Sequence, residues 1–223
     1  MESTPDGALG GMDRLNRHSE RGLADRTALH QLLDSQWLAT LSTVSDGQPW
    51  AVPMLYARDG DRLLLHGSTG AGALRHVAHG APAVLTVAVV DALVVGATTF
   101  ASSVNYRSAT VRGSLRPCTG EERARALDAF SEALIPGRTA EVRPITPKEL
   151  AATLVMALQI TDGKWLLKAR TGWPSDPQAA EADPSTWTGI VPTGTTYGAP
   201  VPAPWSESLP IPASVRELVT RAG

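Results

Sequence analysis

The sequence contains a single cysteine, Cys118, among its 223 residues. One cysteine cannot form an intrachain disulfide or a cysteine-based zinc cluster. Lysine is also scarce, occurring only at positions 148, 164 and 168, and the net charge of −2 gives no strongly basic face for nucleic acid. We therefore expect no disulfide framework, no metal site and no nucleic-acid partner.

Long apolar runs and several catalytic motifs are missing as well. The longest runs, such as Ala83–Val90, have the length of strands, whereas a membrane-spanning helix takes about 20 residues. The chain contains no Gly-x-Ser-x-Gly and no Gly-Lys-Ser/Thr, so neither a hydrolase nucleophile elbow nor a P-loop is indicated. The first residues lack the apolar core of a signal peptide. We expect a cytoplasmic protein with no membrane partner.

The chain does contain a series of strand patterns separated by turn signals. Asp46-Gly47 supplies the positive φ that a tight hairpin needs, and Asp59-Gly60 marks a second turn. Pro53 has no N–H to donate, so it marks a sheet edge, a bulge or a place where a ligand meets the backbone. The expected strands are Trp37–Val44, Pro49–Tyr56, Arg62–His66, Ala83–Val95, Val104–Gly113, Val155–Thr161 and Lys164–Arg170.

Helical patterns flank these strands. Thr146, Pro147 and Glu149 have the spacing of a capping box with proline in the first turn, which is a strong helix start. The expected helices are Asp13–Leu33, Ala73–His79, Glu121–Leu134, one beginning at Pro147 and one at 213–221. The region that follows Arg170 is rich in proline and carries three tryptophans, which would be costly in a solvated tail.

A glycine-rich turn, His66 to Gly72, leads into the short helix. Free N–H groups at a helix start bind anions, and glycine lets a ligand approach the backbone closely. Ser68, Thr69 and Arg75 would add donors there. The alternative is a helix cap with no ligand. His66 is the histidine best placed for chemistry, although a structural role is equally open.

Asn105-Tyr106-Arg107-Ser108 places four hydrogen-bonding side chains in succession on an expected strand. Arg107, if buried, needs an anionic partner, which a flavin phosphate or an acidic substrate would supply. A surface ion pair is the alternative. A small antiparallel barrel with an anion-binding helix start suits a phosphate-bearing cofactor such as a flavin nucleotide.

In combination these segments resemble the pyridoxamine 5′-phosphate oxidase-like family of FMN-binding split barrels, in the branch of the nitroimidazole-resistance proteins. The similar segments are ATLSTVSDGQPWAVPM, LLLHGSTGAGALRHV, VNYRSATVRG, PGR at 136–138, KAR at 168–170 and WTGIVP at 187–192. The resemblance implies a mainly β (α+β) fold. This fold is a six-stranded antiparallel split β-barrel with flanking helices and a proline- and tryptophan-rich C-terminal wrap.

Composition and the resemblance together predict a domain organisation. Residues 1–12 would be a disordered N-terminus and 13–170 the flavin-binding barrel. Residues 171–223 would be an extension that packs on the barrel or on a partner subunit.

The resemblance further implies a homodimer with FMN at the subunit interface. The residues that would bind the cofactor are Val52, Pro53, Met54, Ser68, Thr69, Arg75, Asn105, Arg107 and Trp187. His66 and Tyr106 would be the catalytic residues and would orient the substrate. The expected activity is an FMN-dependent oxidoreductase that passes hydride or electrons to a small, flat, electron-poor molecule.

Two departures from the family pattern keep other hypotheses open. Many relatives have a lysine or arginine at the position of Ala73, and many in this branch have paired histidines where this chain has Ala101-Ser102. A cofactor-free catalyst or small-molecule-binding protein that has lost flavin binding is therefore the second hypothesis. A haem-binding variant is less favoured because no histidine is clearly placed as an axial ligand. A pure interaction module is third.

Overall fold

The computed structural model describes residues 21–68, 72–176, 183 and 185–220. Within them the strands β1 to β10 are Gly22–Leu23, Leu38–Ser45, Gln48–Asp59, Arg62–Ser68, Pro82–Val95, Ser103–Ser114, Arg116–Pro117, Thr153–Gln159, Trp165–Arg170 and Gly189–Pro192. The helices α1 to α5 are Arg26–Asp34, Gly72–Ala78, Gly120–Leu134, Pro147–Ala152 and Ala213–Thr220.

Three sequence predictions fall outside the described residues. They are the disordered segment 1–12, the start of the helix Asp13–Leu33, and the role of Thr69. In the described ranges no helix combines the length and apolar character needed to cross a membrane.

All strand pairings are antiparallel, and the sheet order is β1-β9-β6-β5-β2-β3-β4-β8-β7, with β10 paired to β5. The predicted mainly β, α+β split-barrel fold with flanking helices is confirmed. The predicted number of six strands is too low, because the described part of the chain forms ten. The two-residue strands and β10 are too short or too rich in proline to show an alternating pattern.

The hairpin between β2 and β3 turns at Asp46-Gly47, as the sequence predicts. Their φ angles are 51° and 74°, the left-handed pair that suits a two-residue hairpin loop. Glycine adopts this φ without steric cost, and aspartate tolerates it. The turn fixes the register that places Pro53 of β3 opposite Thr40 of β2.

The interior of the barrel is an apolar core formed by alternate residues of its strands. Leu41 of β2, Leu85 of β5 and Val111 of β6 are almost completely buried there. Burying each such side chain contributes roughly 1.5–3 kcal/mol. The helices α1 and α2 add Leu29, Leu32, Leu33, Leu74 and Val77 to this core.

A second apolar cluster lies on the outer side of β3, β4 and β8, where α3 packs. Phe130 and Ala126 of α3 contact the strands there, and Leu64 of β4 is buried beneath them. Leu64 alternates with Leu63 and Leu65, which face the interior core. Both faces of this part of the sheet are therefore covered.

Helix α4 begins at Pro147 with the predicted capping box. The Glu149 N–H donates to the Thr146 hydroxyl at 3.3 Å, and the Thr146 N–H donates to the Glu149 carboxylate at 2.8 Å. Arg143 donates two further bonds to that carboxylate and, with Thr146, holds the pKa of Glu149 well below its usual range. The local sequence signal therefore fixes this helix start.

The proline-rich region that follows β9 contributes a strand to the sheet. β10 pairs with Ala92–Val95 of β5, and the Thr193 N–H continues this pairing by donating to the Asp91 carbonyl at 3.0 Å. Farther along, the N–H and hydroxyl of buried Ser214 both donate to the Glu141 carboxylate, which anchors α5. Trp205 lies between these two anchors and is 87% exposed.

We expect Tyr56→Phe to destabilise the protein. Tyr56 is almost fully buried, and its hydroxyl donates to the Leu33 carbonyl at 2.5 Å, tying α1 to β3. Phenylalanine leaves that buried carbonyl without its donor, which costs about 1–2 kcal/mol. Urea unfolding measures the change. The matched control, Tyr197→Phe on a half-buried tyrosine of the C-terminal region, should change stability by less than about 0.5 kcal/mol. Equal stability of Y56F and the unsubstituted protein would contradict the role given to this hydroxyl.

Candidate functional site

The strands β3 and β4 separate halfway along β3. β3 pairs with β4 only from Tyr56 to Asp59, whereas it pairs with β2 from Gln48 to Leu55. The first half of β3 therefore has a strand on one side only within the described residues. Backbone N–H and C=O groups along such an edge are available to a ligand or to a partner.

Val52, Pro53 and Met54 all lie on this open half of β3. Val52 and Met54 are half-buried and pack against the barrel core, whereas Pro53 is exposed on the outer face of the sheet. The edge thus combines apolar side chains with backbone polar groups, which is the chemistry that a flat, polar-edged ring system requires.

The end of β4 and the start of α2 lie at the opening that this separation creates. A Cβ on Gly67 would lie 2.2 Å from Cδ1 of Leu74, so a larger residue here would force the Leu74 side chain of α2 to shift. Ser68 is exposed at the last position of β4, and Arg75 is exposed on α2. The structure brings these two predicted residues to the same end of β4.

His66 lies on β4 with its ring under α3. The centroid of the ring is 4.5 Å from that of Phe130. Burial lowers the pKa of His66, which favours the neutral imidazole at pH 7. The ring nitrogens of His66 make no hydrogen bond within the described residues. By contrast, His30 contacts the Asp61 carboxylate, His76 bonds the Val44 carbonyl and His79 bonds the Arg75 carbonyl.

Asn105 is buried on β6, and its amide is bonded inside the protein. The amide nitrogen donates to the Gly172 carbonyl at 2.9 Å, and the amide oxygen accepts from Arg170 at 2.9 Å. Asn105 therefore ties β6 to the segment that follows β9.

Tyr106 lies on the outer face of β6, opposite Val90 and Arg170. The Lys168 ammonium is 5.6 Å from the centroid of its ring. Hydrogen bonding and charge from Lys168, and to a lesser degree from Arg21, lower the pKa of the Tyr106 phenol. A phenol whose anion is stabilised in this way is a better proton donor than an ordinary tyrosine.

Arg107 is paired with Asp91 of β5. Its Nε donates to both carboxylate oxygens, at 3.2 and 3.0 Å, and its Nη2 donates to Oδ1 at 2.7 Å. Of the two partners that the sequence leaves open, an anionic ligand and an ion pair, the structure supplies the ion pair. Fork-like contacts of this kind also fix the plane of the guanidinium.

Trp187 lies just before β10 and is 66% exposed. Its ring covers Gly189, where a Cβ would lie 2.8 Å from the ring atoms. The tryptophan therefore has a defined position at the start of β10 and keeps a large exposed face.

The two predicted catalytic residues lie on strands that are not neighbours in the sheet. His66 is on β4 and Tyr106 is on β6, and β3, β2 and β5 lie between these strands in the sheet order. Sequence reasoning also missed Asp91 as the partner of Arg107 and Lys168 as the partner of Tyr106. A lone carboxylate in the β-branched strand Ala83–Val95 was the available signal for Asp91.

The outer face of β2, β5 and the first half of β3 carries exposed apolar side chains. Leu38, Val44 and Val90 are 59%, 60% and 45% exposed. Small residues such as Thr40 and Thr86 lie between them and keep the face flat. An exposed apolar surface of this kind is a candidate contact site for another molecule.

A cavity of about 690 Å³ opens on the same side of the sheet. Val44 and Val84 form apolar walls, and Arg112 and Lys164 place two cations at its margin. Its size and charge suit a flat ligand that carries anionic groups.

The loop between β5 and β6 contains one of the departures from the family pattern. The Ser102 hydroxyl accepts from the Gly96 N–H at 3.1 Å and donates to the Thr98 carbonyl at 3.1 Å, so it stabilises the loop itself. Phe100 at the tip of this loop is completely exposed. Ala73 is the other departure from the family pattern, and its side chain is not among those that the structure describes.

Comparison with known proteins gives consistent matches. The family described as pyridoxamine 5′-phosphate oxidase matches residues 25–166. The FAD and heme binding protein from Mycobacterium smegmatis is 44% identical, with a TM-score of 0.85 over 89% of this chain and 97% of that chain. A flavocytochrome from Azotobacter vinelandii is 29% identical, with a TM-score of 0.84 over 93% of this chain and 96% of that chain. The comparison with curated proteins gives no match.

A more distant structure shares the fold. A nitroimidazole-resistance-type protein from Bacteroides thetaiotaomicron is 18% identical, with a TM-score of 0.56 over 66% of this chain and 86% of that chain. The resemblance seen in the sequence is confirmed, since the family match covers most of the barrel strands and a 44% identical structure spans nearly the whole chain. The chain therefore belongs to the pyridoxamine 5′-phosphate oxidase family of split-barrel proteins.

Proposed function

We propose that this chain is a flavin-dependent oxidoreductase that acts on a small, flat, electron-poor substrate. The observation that carries the proposal is the 44% identity to a protein described as FAD and heme binding, over 89% of this chain. The open half of β3 supplies a matching site. Both observations favour retained flavin binding over the cofactor-free alternative.

The residues at the open edge fit a flavin. Backbone groups near Val52 and Met54 would bond the polar edge of the ring, and Pro53 would present an apolar surface without a competing N–H. Ser68 and Arg75 at the end of β4 would contact the phosphate. Bound flavin would supply hydride and single-electron transfer, while the protein orients it and sets its electrostatic surroundings. Tyr106 would hold a transferable proton on the outer face.

The dinucleotide FAD is favoured over FMN as the bound form. The 44% identical protein is described as binding FAD. The cavity of about 690 Å³ begins at Ser42 and Val44 of β2, the strand next to β3. It offers space for the adenosine monophosphate half of FAD, which FMN lacks. Arg112 and Lys164 at its margin would balance the added phosphate charge.

Purified protein is expected to be yellow, with near-equimolar flavin that mass spectrometry identifies as FAD. Ser68→Asp should weaken flavin affinity about tenfold or more at low salt, because a carboxylate there repels the phosphate. Ser68→Asn is the matched control, since it has nearly the same shape and no charge, and it should retain binding. Colourless protein that takes up neither FAD nor FMN would refute the proposal in favour of the cofactor-free alternative. Equal affinity of S68D and S68N would refute the phosphate position.

The flavin site would lie between two copies of the chain. The outer face that carries Leu38, Val44 and Val90 adjoins the open edge of β3, and no described helix covers it. A second copy that packs on this face would bury its apolar side chains and close the ring site from solvent. Exposed Trp187 would reach the partner from the start of β10.

Leu38→Glu is expected to give a monomer with weakened flavin binding, because it places a charge in the centre of the apolar contact. Light scattering during size-exclusion chromatography measures the mass, and absorbance measures the flavin. Val142→Glu is the matched control, since Val142 is also exposed, at 44%, but lies in the loop after α3. Dimers of L38E with full flavin content would place the subunit contact elsewhere.

Haem binding on the same chain is a second candidate function. Two similar structures are described as a FAD and heme binding protein and as a flavocytochrome. Iron ligation requires a neutral imidazole with a free ring nitrogen. Among the described histidines, His66 combines a pKa lowered by burial with two unbonded ring nitrogens, and haem would have to displace Phe130 of α3, which packs on its ring.

His66→Leu is expected to abolish the Soret band of protein purified from haem-supplemented cells while leaving the flavin content unchanged. His76→Leu, which removes a histidine bonded to the Val44 carbonyl, is the control and should keep the band. A full Soret band in H66L would exclude His66 as the ligand. Absence of the band from the unsubstituted protein would exclude haem without affecting the flavin proposal.

A further inference from the structure

A second cavity, of about 580 Å³, lies where β2 and β5 separate. The two strands pair only over Thr40–Thr43 and Ala83–Thr86. Beyond Thr86, residues 35–37 and 88–91 form opposite sides of a gap, and residues 193–197 of the C-terminal region border it. The tail is held there by the Thr193 hydroxyl, which donates to the Val90 carbonyl at 2.6 Å.

The Arg107–Asp91 pair lies within the lining of this cavity. The side chains are 40% and 31% exposed, so the pair is reachable from the cavity. Nε and Nη2 of Arg107 bond Asp91, whereas Nη1 has no partner within the described residues. Each carboxylate oxygen of Asp91 can accept a further hydrogen bond. The pair therefore offers donors on Arg107 Nη1 and acceptors on Asp91, with no net charge.

Two aromatic side chains complete the lining. Trp37, just before β2, and Tyr197, in the C-terminal region, have ring centroids 5.8 Å apart and planes tilted by 37°. Both rings are half-buried and line the cavity. Aromatic walls of this kind stack on flat ring systems and exclude water from polar contacts at their edge.

We infer that this cavity binds a planar heterocycle through a lactam or imide edge. The ring N–H would donate to Asp91, the neighbouring C=O would accept from Arg107 Nη1, and the ring would pack against Trp37 and Tyr197. A carboxylate ligand is disfavoured, because it would face the Asp91 carboxylate at the same point. The assignment does not rest on flavin binding, since the cavity lies at the gap between β2 and β5 and not at the open edge of β3. Val90 nevertheless belongs both to the lining of the cavity and to the proposed subunit contact.

The test uses lumazine, a flat pteridine with an imide edge, titrated calorimetrically into the purified full chain after its flavin content has been measured. Arg107→Met should weaken lumazine binding about 10-fold to 100-fold, because it removes the Nη1 donor. Asp91→Asn should weaken it about tenfold, because a neutral amide oxygen replaces the charged acceptor. The N,N′-dimethyl derivative of lumazine keeps the ring but lacks the imide N–H, and should bind at least tenfold more weakly. Arg143→Met is the control variant, since Arg143 makes a similar two-bond pair with Glu149 elsewhere, and it should bind like the unsubstituted protein.

Three results would overturn the inference. Lumazine and its dimethyl derivative could bind equally, which would remove the edge recognition. The unsubstituted protein could fail to bind lumazine up to its solubility. R107M and D91N could lose flavin and lumazine together, which would make this cavity part of the flavin site. If R107M and D91N lose lumazine binding but keep their flavin content, the two sites are separate. If the unsubstituted protein contains no flavin and still binds lumazine, this inference stands although the proposed function fails.

Discussion

Backbone hydrogen bonding along β3 is the constraint on which the rest of this structure depends. The strand has twelve residues and shares its length between two neighbours, with β2 along its first part and β4 along its last part. A buried strand edge without a partner is costly, so the open half of β3 must face solvent, a ligand or another chain. The split in the barrel thus leaves a strand edge whose backbone groups are available to a ligand or a partner.

The two sides of the barrel wall differ in what covers them, and this difference leaves one side available to another molecule. Helix α3 covers the outer side of β3, β4 and β8 through Phe130, so that region is closed to partners. Among the described residues, no helix covers the outer side of β2 and β5, which carries exposed leucine and valine. Because the open edge of β3 adjoins the uncovered side, a second copy that buries the apolar face would also enclose a ligand at the edge. This geometry would couple the proposed assembly to the proposed cofactor binding.

The C-terminal region pairs with a part of β5 that β2 leaves unpaired. Beyond Thr86, β5 loses β2 as its neighbour, and β10 pairs with the vacated edge at Ala92–Val95. Between these two pairings a gap remains, and the bulge between Val90 and Ala92 places Asp91 there with Arg107 across from it. The proline-rich composition suits this role, since an added edge strand needs few backbone donors. The tail therefore completes the sheet and forms one wall of a cavity.

The sequence by itself determined the local features. The Asp46-Gly47 turn, the Thr146 capping box and the strand patterns are encoded by neighbouring residues, because φ preferences and side-chain caps act over a few positions. The tertiary structure decided which distant residues meet. Asp91 neutralises Arg107 from sixteen residues away, His66 and Tyr106 lie on strands that do not adjoin, and a strand forms inside a proline-rich tail. Such pairings depend on sheet register and on competition between strands for one edge, and no short stretch of sequence specifies either.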